Sequence, residues 1–187
     1  MKTLVESAKA AKAASLELAR LTTEAKNAAL RAMARALMEK STEILAANGA
    51  DMQRGREGGM PESLLARLML NEARIAGMAE GLEQVADLPD PIGRVMDEWT
   101  RPNGLVIRKV RVPMGVIGII YEARPNVTVD AAALAFKAGS AILLRGSSSA
   151  YESNAALVRV MRGALEGCGV TPDAVCLVED PSHETVD

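Results

Sequence analysis

Aromatic residues are almost missing from this chain. One tryptophan, two tyrosines and one phenylalanine make up 2% of its 187 residues. A core must therefore be built from Ala, Leu, Val, Ile and Met. Cysteine is scarce as well. Cys168 and Cys176 are the only two, too few for a disulfide framework, and a reducing cytoplasm is the simplest compartment. His183 is the single histidine, and no Ser-His-Asp set or metal-ligand cluster can be read from the spacing. No apolar run approaches the roughly 20 residues of a membrane helix, which argues against a membrane partner. The opening stretch MKTLVESAKAAKAASLELAR lacks an apolar signal core, and its acids argue against a transit peptide. Positive charge is not in excess either. The 22 Lys and Arg face 24 Asp and Glu, a net charge of −2. These charges are interspersed along helical stretches, as on a solvated surface, so nucleic acid is not an expected partner.

What is present reads as a globular protein of one domain, or one domain with an appendage. Residues 3–20 are rich in Ala, Leu, Lys and Glu, all good helix formers. Thr22 or Thr23 suits the N-cap of a second helix, with Glu24 favoured in its first turn. Apolar residues from Leu30 to Leu45 follow helical spacing up to Asn48-Gly49, a natural stop. The glycines of residues 54–60 predict a loop. Pro61 suits the first position of a third helix, lined by Leu64, Leu68, Ile75, Met78, Leu82 and Val85 and ended by Leu88-Pro89.

The period then changes. Residues 94–100 and 105–112 are two strand-like runs around Arg101-Pro102-Asn103-Gly104, a hairpin turn signal. The runs mix charged and apolar residues, which predicts exposure on at least one face. Two readings stand: an arm that pairs with another subunit, or an ordinary edge hairpin. From Met114 onward the pattern is α/β. Residues 116–121 read as a buried parallel strand. Residues 129–137 read as a helix closed by Gly139, and 141–145 as a strand. Residues 151–166 read as a helix closed by Gly167 or Gly169, and 174–179 as a third strand. The sum is β-α-β-α-β, half of a doubly wound sheet.

Open α/β sheets bind ligands at the carboxyl ends of their strands, and the chain's suggestive polar residues cluster there. Residues 121–128, YEARPNVT, follow the first parallel strand. Asn126 stands just before a helix, where it reads either as an N-cap or as an amide aimed at a developing oxyanion. Arg124 suits bidentate capture of phosphate or carboxylate, or is a surface arginine. Arg145-Gly146-Ser147-Ser148-Ser149 follows the second strand, and Arg145 with the serines suits the ribose or 2′-phosphate of an adenine dinucleotide. The G-x-G-x-x-G fingerprint and the P-loop are both absent from the sequence. Cys176 reads as a core residue and Cys168 as part of a helix terminus, so neither is read as a nucleophile.

The string VPMGVIGIIYEARPNVTVDAAALAFKAGSAILLRGSS resembles the signature region of the γ-glutamyl phosphate reductases, also called glutamate-5-semialdehyde dehydrogenases. Residues 86–95, 102–118 and 153–158 resemble the same family in order and spacing. More widely the layout is similar to the aldehyde dehydrogenase superfamily, which binds its dinucleotide without the glycine fingerprint. The resemblance implies an NADPH-dependent reduction of γ-glutamyl phosphate to glutamate 5-semialdehyde in proline biosynthesis, in the cytoplasm. It implies covalent catalysis by a cysteine thiolate. It makes Asn126 the oxyanion donor, assigns Glu122, Arg145, Gly146, Ser147 and Ser148 to the cofactor, and assigns Arg124 to the substrate. The chain then divides into a helical part of the cofactor domain (1–93), the hairpin (94–112), through which, on the arm reading, a homo-oligomer is expected to form, and a partial NADP-binding sheet of Rossmann-like type (113–187). The loop SSS departs from the Gly- or Lys-containing sequence of many members. The family's nucleophilic cysteine is expected in a later domain, so these 187 residues are expected to be inactive alone. The competing reading is a non-catalytic module that binds a nucleotide or a partner subunit.

Overall fold

In a computed structural model, residues 3–179 are described. His183 and the last part of the 113–187 segment lie outside them. Helix α1 (Leu4–Leu18) opens with a capping box: Thr3 Oγ accepts from the Glu6 backbone N–H, and the Glu6 carboxylate accepts from the Thr3 N–H at 2.8 Å. Helix α2 (Thr23–Glu39) is capped by Thr22, whose hydroxyl accepts from Ala25 N–H. Of the two threonines that the sequence offers, the first does the capping.

Helix α3 (Ser41–Glu57) corrects two expectations. It runs straight through Asn48-Gly49, and it takes in most of the segment expected to be a loop, leaving only Gly58-Gly59 as the turn. The reason is long-range. Asn48 is buried, its amide donates to Leu68 O at 2.9 Å and Ser153 Oγ at 3.0 Å, and its carbonyl accepts from Leu70 N–H at 2.7 Å. These bonds outweigh the local preference of Asn-Gly for a helix end. Glycine at position 55 lets the next helix cross close by. A Cβ there would meet Leu65 Cδ2 at 3.0 Å.

The single third helix is in fact two, α4 (Glu62–Leu68) and α5 (Glu72–Asp87). Pro61 occupies the N-cap of α4, one place before the expected position. The break falls at Met69–Asn71, where Asn71 caps α5 by accepting from Arg74 N–H at 2.8 Å and Leu70 turns its N–H to Asn48.

Strands β1 (Val95–Thr100) and β2 (Val106–Val110) form the antiparallel hairpin, with a bulge between Val95 and Asp97. Nearly every residue of both strands is exposed. Strands β3 (Val116–Ile120), β4 (Ala141–Arg145) and β5 (Val175–Leu177) form a parallel sheet in the order β3-β4-β5. Helix α6 (Pro125–Lys137) follows β3 and α7 (Tyr151–Gly167) follows β4. Gly139 and Gly169 close these helices with positive φ. The expected β-α-β-α-β is present, with three differences. Helix α6 begins four residues earlier, β5 is three residues long, and β3 is only partly buried because it is an edge strand among the described residues.

One large core joins α1, α2, α5, α6, α7 and the sheet. It is built from Ala, Leu, Ile, Val and Met around Phe136. A second, small core of Met52, Leu65, Leu68 and Ala150, with Met60 and Ala123 against it, lies under the loops that follow β3 and β4. The expectation that charges lie on a solvated surface fails at Lys26, Asp51 and Lys137, which are all buried. Lys26 Nζ meets Asp90 Oδ2 at 2.6 Å and donates to the Lys137 carbonyl at the end of α6. Lys137 Nζ donates to Asn27 Oδ1 and to the Ala86 carbonyl near the end of α5. Each ammonium therefore sits where a helix presents the negative end of its dipole.

Burial alone would raise the Asp90 pKa, but hydrogen bonds from Lys26, Ile92 and Thr23, with the Lys26 charge, outweigh it and hold the carboxyl below its ordinary value. The stability that comes from this depressed pKa is present above the ordinary carboxylate pKa and is lost as pH falls through the lowered one. Lys26→Met should therefore cost about 1.5–3 kcal/mol near neutral pH, and its chemical-denaturation curve should converge with the parent's towards about pH 2. A constant gap across that range would contradict the pairing.

Candidate functional site

Ile120 at the end of β3 pairs with Arg145 at the end of β4, so the two following loops leave the sheet side by side. The Tyr121 N–H extends the ladder by donating to the Arg145 carbonyl at 3.1 Å. Beneath these loops runs a buried polar chain. Thr128 Oγ1 donates to Asn154 Oδ1 at 2.9 Å and lies 2.6 Å from the Tyr121 hydroxyl. Thr128 has one hydroxyl proton, and Asn154 receives it, so the tyrosine is the donor to Thr128. Burial raises the Tyr121 pKa to about 12 against the opposing effect of the Thr128 bond. The phenol therefore keeps its proton at neutral pH.

Gly146 closes this packing. A Cβ on it would lie 2.3 Å from Asn154 Nδ2 and 3.2 Å from the Tyr121 ring. Its φ is not positive, so the demand for glycine is steric. Gly146 thus lets the loop after β4 settle onto Tyr121 and Asn154. The next residues form a turn. The Ser147 hydroxyl accepts from Ser149 N–H at 3.3 Å and lies 2.8 Å from Ser149 Oγ, capping a short 3₁₀ turn, Ser148–Ala150, that leads into α7.

Two cavities open over the loops. One, of about 500 Å³, is lined by Tyr121, Glu122, Arg145, Ser147, Ser148 and Ser149, with Met60, Leu64 and Arg67 from the α3–α4 side. The other, of about 520 Å³, is lined by Arg124, Asn126 and Asp130 with Arg67 and Arg74. The residues singled out in the sequence thus divide between neighbouring cavities. Gly146 lines neither.

The N-cap reading of Asn126 is overturned. Arg124 occupies the N-cap of α6, Pro125 is the first helical residue and Asn126 the second. Proline brings its fixed φ to that first turn, which is why the helix starts ahead of Asn126. The Asn126 amide is exposed and donates to Asp130 Oδ2 at 3.3 Å. One of its two hydrogens remains for another acceptor. Burial raises the Asp130 pKa, with the Asn126 bond opposing it. Neither cysteine lines these cavities: Cys168 is exposed at the end of α7, and buried Cys176 in β5 donates its thiol to the Asp173 carbonyl.

Sequence reasoning missed Arg67, Arg74, Asp130, Thr128 and Asn154. Thr128 and Asn154 lie inside the stretches that carry the family resemblance, and that was their one signal. Arg67 and Arg74 looked like charges on a solvated helix face.

No family model matches the chain. Along 185 residues it is 53% identical to the γ-glutamyl phosphate reductase of Anoxybacillus flavithermus, covering 99% of this chain and 45% of that protein. The crystal structure of the Thermotoga maritima γ-glutamyl phosphate reductase superposes with a TM-score of 0.97 at 45% identity, over 99% of this chain and 45% of that one. By sequence and by fold, the chain is similar to the γ-glutamyl phosphate reductases over the part it spans. It spans a little under half the length of these relatives. The Rhodopseudomonas palustris propionaldehyde dehydrogenase superposes over all of the chain with a TM-score of 0.70 at 17% identity, which shows an aldehyde-dehydrogenase type of α/β fold. Among the described residues no helix is long and apolar enough to cross a membrane.

At this site, Gly146→Ala should lower stability by about 1–3 kcal/mol, read as a fall in Tm. Adding Asn154→Ala should recover part of that loss, because the clash partner is gone. Purely additive losses would show that Asn154 is not what requires the glycine.

Proposed function

We propose that this chain is the cofactor-binding portion of a γ-glutamyl phosphate reductase, in which NADPH reduces γ-glutamyl phosphate to glutamate 5-semialdehyde for proline biosynthesis in the cytoplasm. The observation that carries the reading is the pairing of the two loops at the carboxyl ends of β3 and β4, with Asn126 in the first turn of α6. Residues 1–93 then form the helical part of this unit and 113–187 its sheet.

The first cavity fits an adenine dinucleotide. Arg145, Ser147 and Ser148 bring cationic and hydroxyl donors to ribose and phosphate oxygens, and Glu122 brings a carboxylate acceptor for ribose hydroxyls. Gly146 serves the cofactor through the backbone it lets approach the sheet. The bound NADPH supplies the hydride. Asn126 points an amide hydrogen at the oxygen of the acyl carbon, where negative charge develops when the carbonyl is attacked. Arg124 attracts an anionic group of the substrate. The attacking thiolate that the family's chemistry requires is neither Cys168 nor Cys176, since both stand away from the two cavities.

The hairpin supports a subunit-binding role. Val95, Val106 and Val110 are exposed on one face of it and Trp99 on the other, apolar surface that a second copy of the chain would cover in a homo-oligomer. A module that only joins subunits is the alternative, and NADPH separates the two. Fluorescence titration should show saturable NADPH binding by this chain, and a pure interaction module should show none. In the active reductase, Asn126→Ala should slow turnover by roughly 10²–10³ with NADPH affinity little changed. An equal loss of turnover and affinity would rule out the oxyanion role.

A further inference from the structure

The second cavity holds more positive charge than the reading above uses. Its wall carries three guanidinium groups, from Arg67 on α4, Arg74 on α5 and Arg124 at the N-cap of α6. It carries one carboxylate, Asp130, which already accepts from Asn126. Among the described residues neither Arg67 nor Arg124 makes an ion pair or a side-chain hydrogen bond. By contrast, Arg159 and Arg162, which line a different cleft, are neutralised by Glu43 and Asp173. Arg74 is fixed in place, because its Nη1 donates to the carbonyls of Ala66 and Met69 at the end of α4. That leaves its charge intact and its position set by the break between α4 and α5.

We propose that this cavity is an anion pocket in which Arg67 and Arg124 clamp an oxyanion group of the substrate, phosphate or carboxylate, and Arg74 adds fixed positive charge. Guanidinium forks match either group bidentately, and about 520 Å³ accommodates a small, doubly anionic molecule. Arg67 lines this cavity and the neighbouring one with Arg145 and the serines. It therefore stands where substrate and cofactor would meet. The identity of the anion rests on the reductase reading. The pocket itself rests on the arginines.

The test is calorimetric titration of this chain with inorganic phosphate and, separately, with glutamate, at low ionic strength. Arg67→Gln and Arg124→Gln should each weaken binding of the preferred anion by about tenfold or more, whereas Arg35→Gln, remote from the cavity, should not. Phosphate preferred over glutamate would assign the pocket to the phosphate end of the substrate, and the reverse to the carboxylate end. Should either variant misfold, the wild-type chain still answers. The bound anion should protect Arg67 and Arg124 from phenylglyoxal. Absence of saturable binding, or binding that depends on Arg145 but not on Arg67 and Arg124, would overturn the proposal. A chain that binds phosphate through these arginines but binds no NADPH would lose the reductase reading and keep the pocket.

Discussion

Helix α7 has no capping side chain of its own, and its first N–H groups are met from another helix. Asp51, fully buried in α3, accepts from Ser153 N–H at 2.8 Å, from Ser153 Oγ at 2.7 Å and from Glu152 N–H at 3.3 Å. A buried carboxylate is costly, and desolvation raises the Asp51 pKa even against these donors. Because its folded pKa is raised, the group favours the folded state most below the ordinary carboxylate pKa, and this advantage is lost as pH rises through the raised value. Three donors and the positive end of the α7 dipole offset much of the desolvation. What the arrangement secures is position. Asn48, one turn earlier on α3, holds Ser153 Oγ and both sides of the break between α4 and α5. One face of α3 therefore locates α4, α5 and α7 together.

The site follows from that arrangement. With the start of α7 located, Asn154 meets Thr128 and, through it, Tyr121. Gly146 then packs the loop after β4 onto the loop after β3. The break that Asn48 stabilises sets the end of α4, where Arg74 is held by carbonyls and Arg67 faces both cavities. The linings differ in balance: serine hydroxyls, Glu122, Arg145 and the shared Arg67 line one cavity, and Arg67, Arg74 and Arg124 against Asp130 line the other.

Much of this fold was legible in the sequence. Thr22 marks a helix start because capping is a bond between near neighbours in sequence. The shift from helical spacing to short apolar runs marks the sheet, and Asn103-Gly104 marks the hairpin. Asn48-Gly49 misled because its partners, Leu68, Leu70 and Ser153, lie 20 to 105 residues away. Asn126 misled in the opposite direction. Its cap-like place before a helix was plain, but Pro125 had already begun the helix.

The sequence alone determined the α/β class, the order of most helices and strands, and the strand ends where its suggestive polar residues cluster, though not where α3 ends or that α4 and α5 are separate. It also carried the likeness to the γ-glutamyl phosphate reductases, since IIYEARPNVT is a continuous string. These properties depend on neighbouring residues, whose spacing sets period, capping and turn. Only the tertiary structure decided that Asp51 caps α7, that Lys26 and Lys137 are buried at helix ends, and that Arg67 joins Arg124 across a cavity. Each of these depends on residues brought together from distant parts of the chain. A lysine or arginine on a helix has the same local pattern whether it ends in water, in a core or in a binding pocket.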